Sequence, residues 1–490
     1  MTGAYVSSIG RHGGPVRILA GAEVAWVAAI LATYLWSNDW LVAAAIAALG
    51  FVLRLFRGFS GPPVLPLALA HQWLQVTIGL FYFHATGRAL GGVRTDDVRE
   101  MVLIGLIVVC SLALGVYYGA RQRRNEVERP RLQSDFSSRQ LLVLYLIATG
   151  ITSLLLEITA DSDALRGLYQ GAVYLSYARL ALLFLIFRRL LRPRLRLGWF
   201  VLLVVIEVGV GLTGYFAGFR EILIVAALAL LEVFDRRRFT HWVMGVGLVA
   251  TLFITGVVWQ GIKSEYRARF NEDAALAASR TQKLELVGQL AQKWADRGSS
   301  DFLRSVDITV DRLWQVYYPS LVLSRVPRVV SHTNGAFFAN AIIHVITPRF
   351  FFSDKGSLLS DSEKVRKYAG VNVAGAEEGT SIAFGYSAEA YVDFGLPVMF
   401  IPIFVFGYGM GRLFRWFRLR IQHEDLATAA QTTIFWLSLY LFERSWDRSL
   451  GMSLTLVIFL GGATFALDRV LIEMRGLQRR SQVLPAVTAG

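Results

Sequence analysis

Met101-Val-Leu-Ile-Gly-Leu-Ile-Val-Val-Cys-Ser-Leu-Ala-Leu-Gly-Val-Tyr-Tyr-Gly-Ala120 runs for twenty residues without a charged side chain, and Arg121-Gln-Arg-Arg124 follows at once. A helix of that length rises about 30 Å, the thickness of the hydrocarbon core of a bilayer. The stretch is apolar around its whole circumference, which suits lipid or a crowded bundle better than a helix with one wet face. It reads as a membrane span that ends at a basic interface.

Working outward, runs of the same kind recur between short arginine clusters. Spans are expected near residues 16–36, 40–56, 62–84, 101–120, 140–159, 168–190, 198–218, 221–234, 241–262, 394–413, 427–442 and 450–471, the eighth being short for a crossing. Of 490 residues, 54% are hydrophobic and 18% charged, against roughly a quarter charged in soluble domains. This excludes an ordinary soluble enzyme, a disordered chain and a disulfide-built secreted domain. The sole cysteine, Cys110, lies inside the quoted span, so it offers no disulfide or cysteine-ligated metal and reads as packing. The first run, from near Val16, is too long and lacks the small-residue cleavage site of a removable signal. The fold class expected is an all-α polytopic membrane protein of about twelve transmembrane helices with one large external loop between spans nine and ten.

Basic residues test the count, since they accumulate on the cytoplasmic side. With a cytoplasmic N-terminus, the inner segments hold Arg11 and Arg17, Arg54 and Arg57, six arginines from Arg121 to Arg139, and five from Arg188 to Arg196. Then come Arg236 to Arg238, four from Arg412 to Arg420, and Arg469, Arg475, Arg479 and Arg480, which makes 26 inside. The outer short loops hold seven: Arg88, Arg94, Arg99, Arg166, Arg220, Arg444 and Arg448. Both termini are therefore expected in the cytoplasm. The net charge of +14 reads as topology rather than a nucleic-acid footprint.

Three regions follow: 1–262 with nine spans, 263–390 as an external loop, and 391–490 with three spans and a cytoplasmic tail. The loop carries 16 basic and 14 acidic residues and all six lysines of the chain. Connections so long are usually functional. Glu265 to Gln315 reads as helical, with Leu284, Val287 and Leu290 at helical spacing; Pro319 to Gly379, rich in Pro, Gly, Ser and Asn, reads as irregular.

Ionisable residues within spans demand an explanation. Arg179 and Glu207, midway along adjacent antiparallel spans, read as a buried ion pair fixing register rather than a proton relay, for no ladder of further acids or histidines continues across the bundle. At the outer mouth, the glycine-rich turn Gly209 to Gly218 leads into Arg220-Glu221, which leaves Arg220 little freedom; the bland alternative is an arginine snorkelling to headgroups. Glu389 and Asp393 stand one helical turn apart before the tenth span. A carboxylate held there among apolar neighbours would have a raised pKa and serve as a base, whereas the helix-cap reading fits Asp393 better than Glu389. Arg444 and Asp447 can pair locally, with Arg448 one turn on, as a salt-bridged loop or a phosphate clamp. Pro348-Arg349-Phe350-Phe351-Phe352-Ser353-Asp354-Lys355 surrounds three aromatics with cations, an arrangement for an interfacial segment or for a sugar beside a pyrophosphate. His332 and His344 flank it as further candidate bases. No cofactor motif or metal-ligand set is found.

Many spans, a large late external loop, Pro348-Arg349 followed by Asp354-Lys355, and Ser381 to Gly395, with Tyr386 among them, leading into a glycine-rich helix together resemble the Wzy-type bacterial polymerases of O-antigen and exopolysaccharide repeat units. The likeness is clearest over residues 331–415, with a fainter echo at Gly218 to Glu221. The resemblance implies an inverting glycosyltransferase of the bacterial inner membrane, similar in architecture to O-antigen ligases. Its substrate would be an undecaprenyl pyrophosphate-linked oligosaccharide at the outer leaflet. A flippase and a chain-length regulator would be partners, with membrane lipid around it and no nucleic acid. Glu389, Arg220 and Arg349 would then be catalytic, and Lys355, His344, His332, Arg444, Arg448, Asp393 and Tyr386 would bind substrate. A flippase or transporter of the same intermediates, a ligase-like glycan transferase and a non-catalytic scaffold are the alternatives; the long loop and the lack of paired halves weigh against transport.

Overall fold

A computed structural model describes residues 14–59, 61–88, 96–121, 132, 136–161, 168–192, 196–213, 218–269, 280–347, 356, 358–375, 377 and 380–483. Among these there is no β-strand, only an isolated bridge between Leu132 and His423. The first ten helices are α1 (Gly14–Ser37), α2 (Trp40–Leu55), α3 (Val64–Thr86), α4 (Asp96–Ala120), α5 (Ser138–Asp161), α6 (Tyr169–Ser176), α7 (Ala178–Leu191), α8 (Leu197–Leu212), α9 (Phe219–Glu232) and α10 (Phe239–Arg269). Then follow α11 (Arg280–Asp296), α12 (Ser299–Leu313), α13 (Tyr317–Arg325), α14 (Ala336–Ile346) and α15 (Asp361–Lys364), the last running into a π-helical turn. The chain closes with α16 (Gly385–Phe394), α17 (Phe400–Arg420), α18 (Glu424–Leu439), α19 (Trp446–Leu456) and α20 (Gly462–Val483), the last two joined by a second π-helical turn.

Every apolar run expected to span the membrane is occupied by helix. Six helical stretches among the described residues are long and apolar enough to cross: Val64–Thr86, Asp97–Ala120, Ser138–Thr159, Tyr169–Leu191, Phe239–Arg269 and Trp446–Arg475. The chain is thus a helical protein with the helices of a membrane protein. The segment expected at 394–413 is displaced: Gly395, with φ of 64°, ends α16, Pro397 follows, and the helix resumes only at Phe400. Pro319 to Gly379 also departs from expectation. It contains the apolar helix α14, whose Ile343 and Ile346 are exposed. Its eleven residues are bracketed by turn-formers, and those dominated the reading.

Among the described residues, the ends of α4, α7, α9, α17 and α18 meet in an arginine-rich region. There Arg188 of α7 reaches Asp425 of α18 and Glu232 of α9, at 2.6 and 3.3 Å, and Arg415 donates to the Arg121 carbonyl. At the opposite end Arg99 holds the Asp39 carboxylate through two hydrogen bonds of 2.7 and 2.8 Å, and Arg88 pairs with Asp307. Asp39 also caps α2 through Leu41 N, and the Arg99 guanidinium lowers its pKa to about 2.

The centre is an interlock of α4 and α17. A Cβ on Gly407 would meet the Leu112 carbonyl oxygen at 2.6 Å, and one on Gly411 would overlap that of Val116; Gly115 and Gly119 are pressed in the same way on Phe404 and Tyr408. Two small-xxx-small pairs, one on each helix, let the backbones touch where larger side chains would hold them apart. Gly411→Val should destabilise the protein by at least about 1–3 kcal/mol through overpacking against rigid backbone. An unchanged melting temperature for purified Gly411→Val would show that the two helices can separate freely.

Candidate functional site

Helix α18 ends at Leu439, and the carbonyls at its end accept from side chains of α3 and from Arg444. Gln72 Nε2 donates to the Leu439 carbonyl, and His71 Nδ1 lies 2.8 Å from that of Tyr440. Gln75 Oε1 accepts from Phe442 N at 2.7 Å, and Arg444 Nη1 reaches back to the Leu437 carbonyl at 2.7 Å. Gly385 makes the opposite wall. Its φ is +88°, and a Cβ there would stand 2.5 Å from the Phe442 oxygen. A polar stripe on α3 therefore fixes the short connection 440–445, which presents Glu443 and Arg444.

Charged groups from other helices converge on this connection. Arg312 of α12, Arg444, Arg220 of α9 and Arg448 all act electrostatically on Glu443. Arg179 and Arg220 act on Glu221, and Arg220 and Arg312 on Lys263. The Arg444 guanidinium lies 5.5 Å over the Tyr440 ring, with Tyr174 and Tyr177 also within its reach. Burial raises the pKa of Glu443, against the pull of the surrounding arginines. Among the described residues, Arg179, Arg220, Lys263, Arg312, Glu221 and Glu443 form no direct ion pair, and the four cations outnumber the two carboxylates they act on. Such a group can receive an anion and offers a carboxylate as proton acceptor.

A second cluster lies beside it and has the opposite character. Lys364 Nζ is 2.6 Å from Glu389 Oε1, 3.2 Å from Asp447 Oδ1 and 3.8 Å from Asp361 Oδ1. Trp446 N donates to Glu389 Oε2 at 2.6 Å, and Arg448 Nε holds Asp361 Oδ2 at 2.9 Å. Burial pushes the Glu389 carboxyl up to about 7, even though Lys364 and the Trp446 amide favour its charged form. Burial opposes the charge on Lys364, yet Glu389, Asp447 and Asp361 hold its pKa above the ordinary lysine value. The carboxylates of Asp361, Glu389 and Asp447 lie close enough to share a metal ion. Lys364 reaches all three and Arg448 also holds Asp361, so cations of the chain already stand among these carboxylates.

Two expected participants, Arg220 and Arg444, join the first cluster, and Arg448 bridges its edge to the second. Glu389, expected as the base, does not join it: it is 1% exposed, with Oε1 on Lys364 and Oε2 on the Trp446 amide. Asp393 is a cap, though of α14 rather than its own helix, accepting from Phe337 N at 3.0 Å, Phe338 N at 2.8 Å and the Thr333 hydroxyl. Tyr386 is core, its hydroxyl bound to Gln72 at 2.6 Å and its ring 5.3 Å from that of Trp446. His332 contacts the Val392 carbonyl at 3.2 Å and packs edge-on to Tyr391; His344 lies half-buried on α14. Asp447 pairs with Lys364 rather than Arg444, because Arg444 turns inward to the end of α18. Glu207 accepts from Tyr145 at 2.6 Å and makes no ion pair with Arg179, whose charge serves Glu221 instead. Arg349 and Lys355 lie outside the described residues. Sequence reasoning missed Glu443, Glu221, Arg312 and Lys263; the first two were signalled only by adjacency to Arg444 and Arg220.

No family model, curated protein or solved structure matches the chain. The chemistry of the clusters is therefore the guide to function.

Proposed function

We propose that this chain is a polytopic inner-membrane glycosyltransferase that joins undecaprenyl pyrophosphate-linked oligosaccharide units into a surface polysaccharide, with twelve spans, both termini cytoplasmic and the Glu443 cluster facing outward. The observation that carries the reading is the convergence of Arg220, Arg312 and Arg444 on Glu443 without direct pairing. On this reading the arginines stabilise the pyrophosphate as it leaves the anomeric carbon. Glu443 takes the proton of the acceptor hydroxyl, and the neutral form favoured by burial then carries it. Tyr174 and Tyr177 offer aromatic rings to the sugar nearest the lipid, while Tyr440, stacked on Trp436, carries Arg444.

Purified protein incubated with lipid-linked repeat units should lengthen them by whole repeats, read by mass spectrometry. Movement of the units between leaflets without lengthening would return the transporter reading, and transfer to a different acceptor the ligase-like one. Arg220→Lys keeps the charge but loses the planar fork, and should lower turnover by at least about tenfold at normal protein levels. Full activity in that variant would remove Arg220 from the site.

A further inference from the structure

At the arginine-rich end, far from Glu443, the ends of α5, α7 and α8 enclose a cavity of about 500 Å³ lined by Arg188, Arg189, Arg192 and Arg196. Three observations define its chemistry. First, four arginines line it against one carboxylate, Asp425, which is already paired. Asp425 is held by Arg188 at 2.6 Å, and Glu232 and Glu424, behind it, share the same guanidinium. Arg189, Arg192 and Arg196 are exposed and, among the described residues, form no ion pair. Second, Arg188 is only 4% exposed, and its Nε is buried without a hydrogen-bond partner. A buried guanidinium N–H left unmade is costly unless an acceptor visits it. Third, Leu141, Leu185 and Leu190 complete the walls. Beyond them Leu142 and Leu146 on α5 and Trp199 and Leu202 on α8 are exposed, with Trp199 at 65%. A free inorganic anion has no use for that apolar margin, whereas a headgroup with acyl chains does.

We infer that this cavity is a binding site for an anionic phospholipid, whose phosphate sits among Arg188, Arg189 and Arg192 and whose chains lie along α5 and α8. The inference does not depend on the glycosyl-transfer reading, since it concerns the opposite end of the molecule.

Delipidated full-length protein titrated with dihexanoyl phosphatidylglycerol should show saturable binding in calorimetry, with dihexanoyl phosphatidylcholine and inorganic phosphate each much weaker. Arg189→Gln and Arg192→Gln should weaken phosphatidylglycerol about fivefold each, the effect of one basic side chain near an anionic lipid. Arg304→Gln, on α12 away from the cavity, should leave it unchanged. Both test positions are exposed, so the variants keep the buried Arg188 network. Equal binding of the zwitterionic lipid would reduce the site to an apolar groove and overturn the proposal. Inorganic phosphate as tight as the lipid, or unchanged affinity in both arginine variants, would overturn it as well.

Discussion

Lys364→Met should destabilise the protein by about 3–5 kcal/mol, the usual cost of removing one partner from a buried ionic group. The methionine keeps the length and packing of the lysine stem, so the loss reports the ammonium alone. Three carboxylates would remain around it, with Glu389 having only the Trp446 amide and Asp361 only Arg448 and Ser381 as polar partners. The measurement is a thermal or denaturant melt of purified protein; a variant as stable as wild type would show that the cluster carries no structural load. The same cluster gives a pH dependence. Glu389 titrates near about 7 in the folded protein against an ordinary value of 4.5, so between those values the folded state binds more protons than the unfolded one. Stability therefore falls as pH rises through that window. Lys364 stays charged throughout, so this cluster's share of the slope belongs to Glu389, and the slope should be shallower in Glu389→Gln.

Glu443→Gln should lower glycosyl transfer by about 10²–10⁴-fold, the usual contribution of a positioned general base, while leaving the melting temperature near wild type. The two variants thus separate the clusters. Loss of Lys364 attacks the fold, and loss of the Glu443 carboxylate attacks turnover. The amide keeps the shape of the side chain, and donor binding, governed by the arginines, should persist. A Glu443→Gln protein that polymerises at the wild-type rate would pass the role to Glu221. Unchanged turnover in both Glu443→Gln and Glu221→Gln would leave the acceptor to attack without a base.

Legibility in the sequence followed the length scale of the physics involved. Hydrophobic runs of membrane thickness are a strong local signal, so the helices start within about five residues of expectation except where Gly395 and Pro397 displaced α17, while α8 stops early at Leu212 and α10 and α20 run on to Arg269 and Val483. Sorting of arginines to alternate connections is likewise a local signal, because it is a count along the chain. The interlock of α4 with α17 was harder. Gly115 and Gly119 are visible as a motif, but only the partner's Gly407 and Gly411 turn that motif into contact. Least readable was the allocation of carboxylates. Glu389 and Asp393 share an apolar, aromatic neighbourhood that invites the reading of a poised base. What decides their role is Lys364 and Phe337, 25 and 56 residues away along the chain. Glu443 was passed over because Arg444 beside it suggested a local salt bridge, whereas Arg444 in fact folds back on the end of its own helix.

That early ending of α18 has a consequence for how a substrate arrives. Sixteen residues of helix measure roughly 24 Å, several ångströms short of a hydrocarbon layer about 30 Å thick. On the proposed twelve-span reading, with its lower end at the cytoplasmic interface, the connection bearing Glu443 and Arg444 would lie below the headgroup plane, beside the Gln72 and Gln75 amides of α3. A lipid-borne glycan could slide in sideways from the leaflet with its tail never leaving hydrocarbon. A diffusible molecule with the same phosphates would have to shed its water to descend. Access would then sort substrates by how they travel: soluble pyrophosphate should inhibit poorly, and a short polyprenyl chain on the same group should restore inhibition.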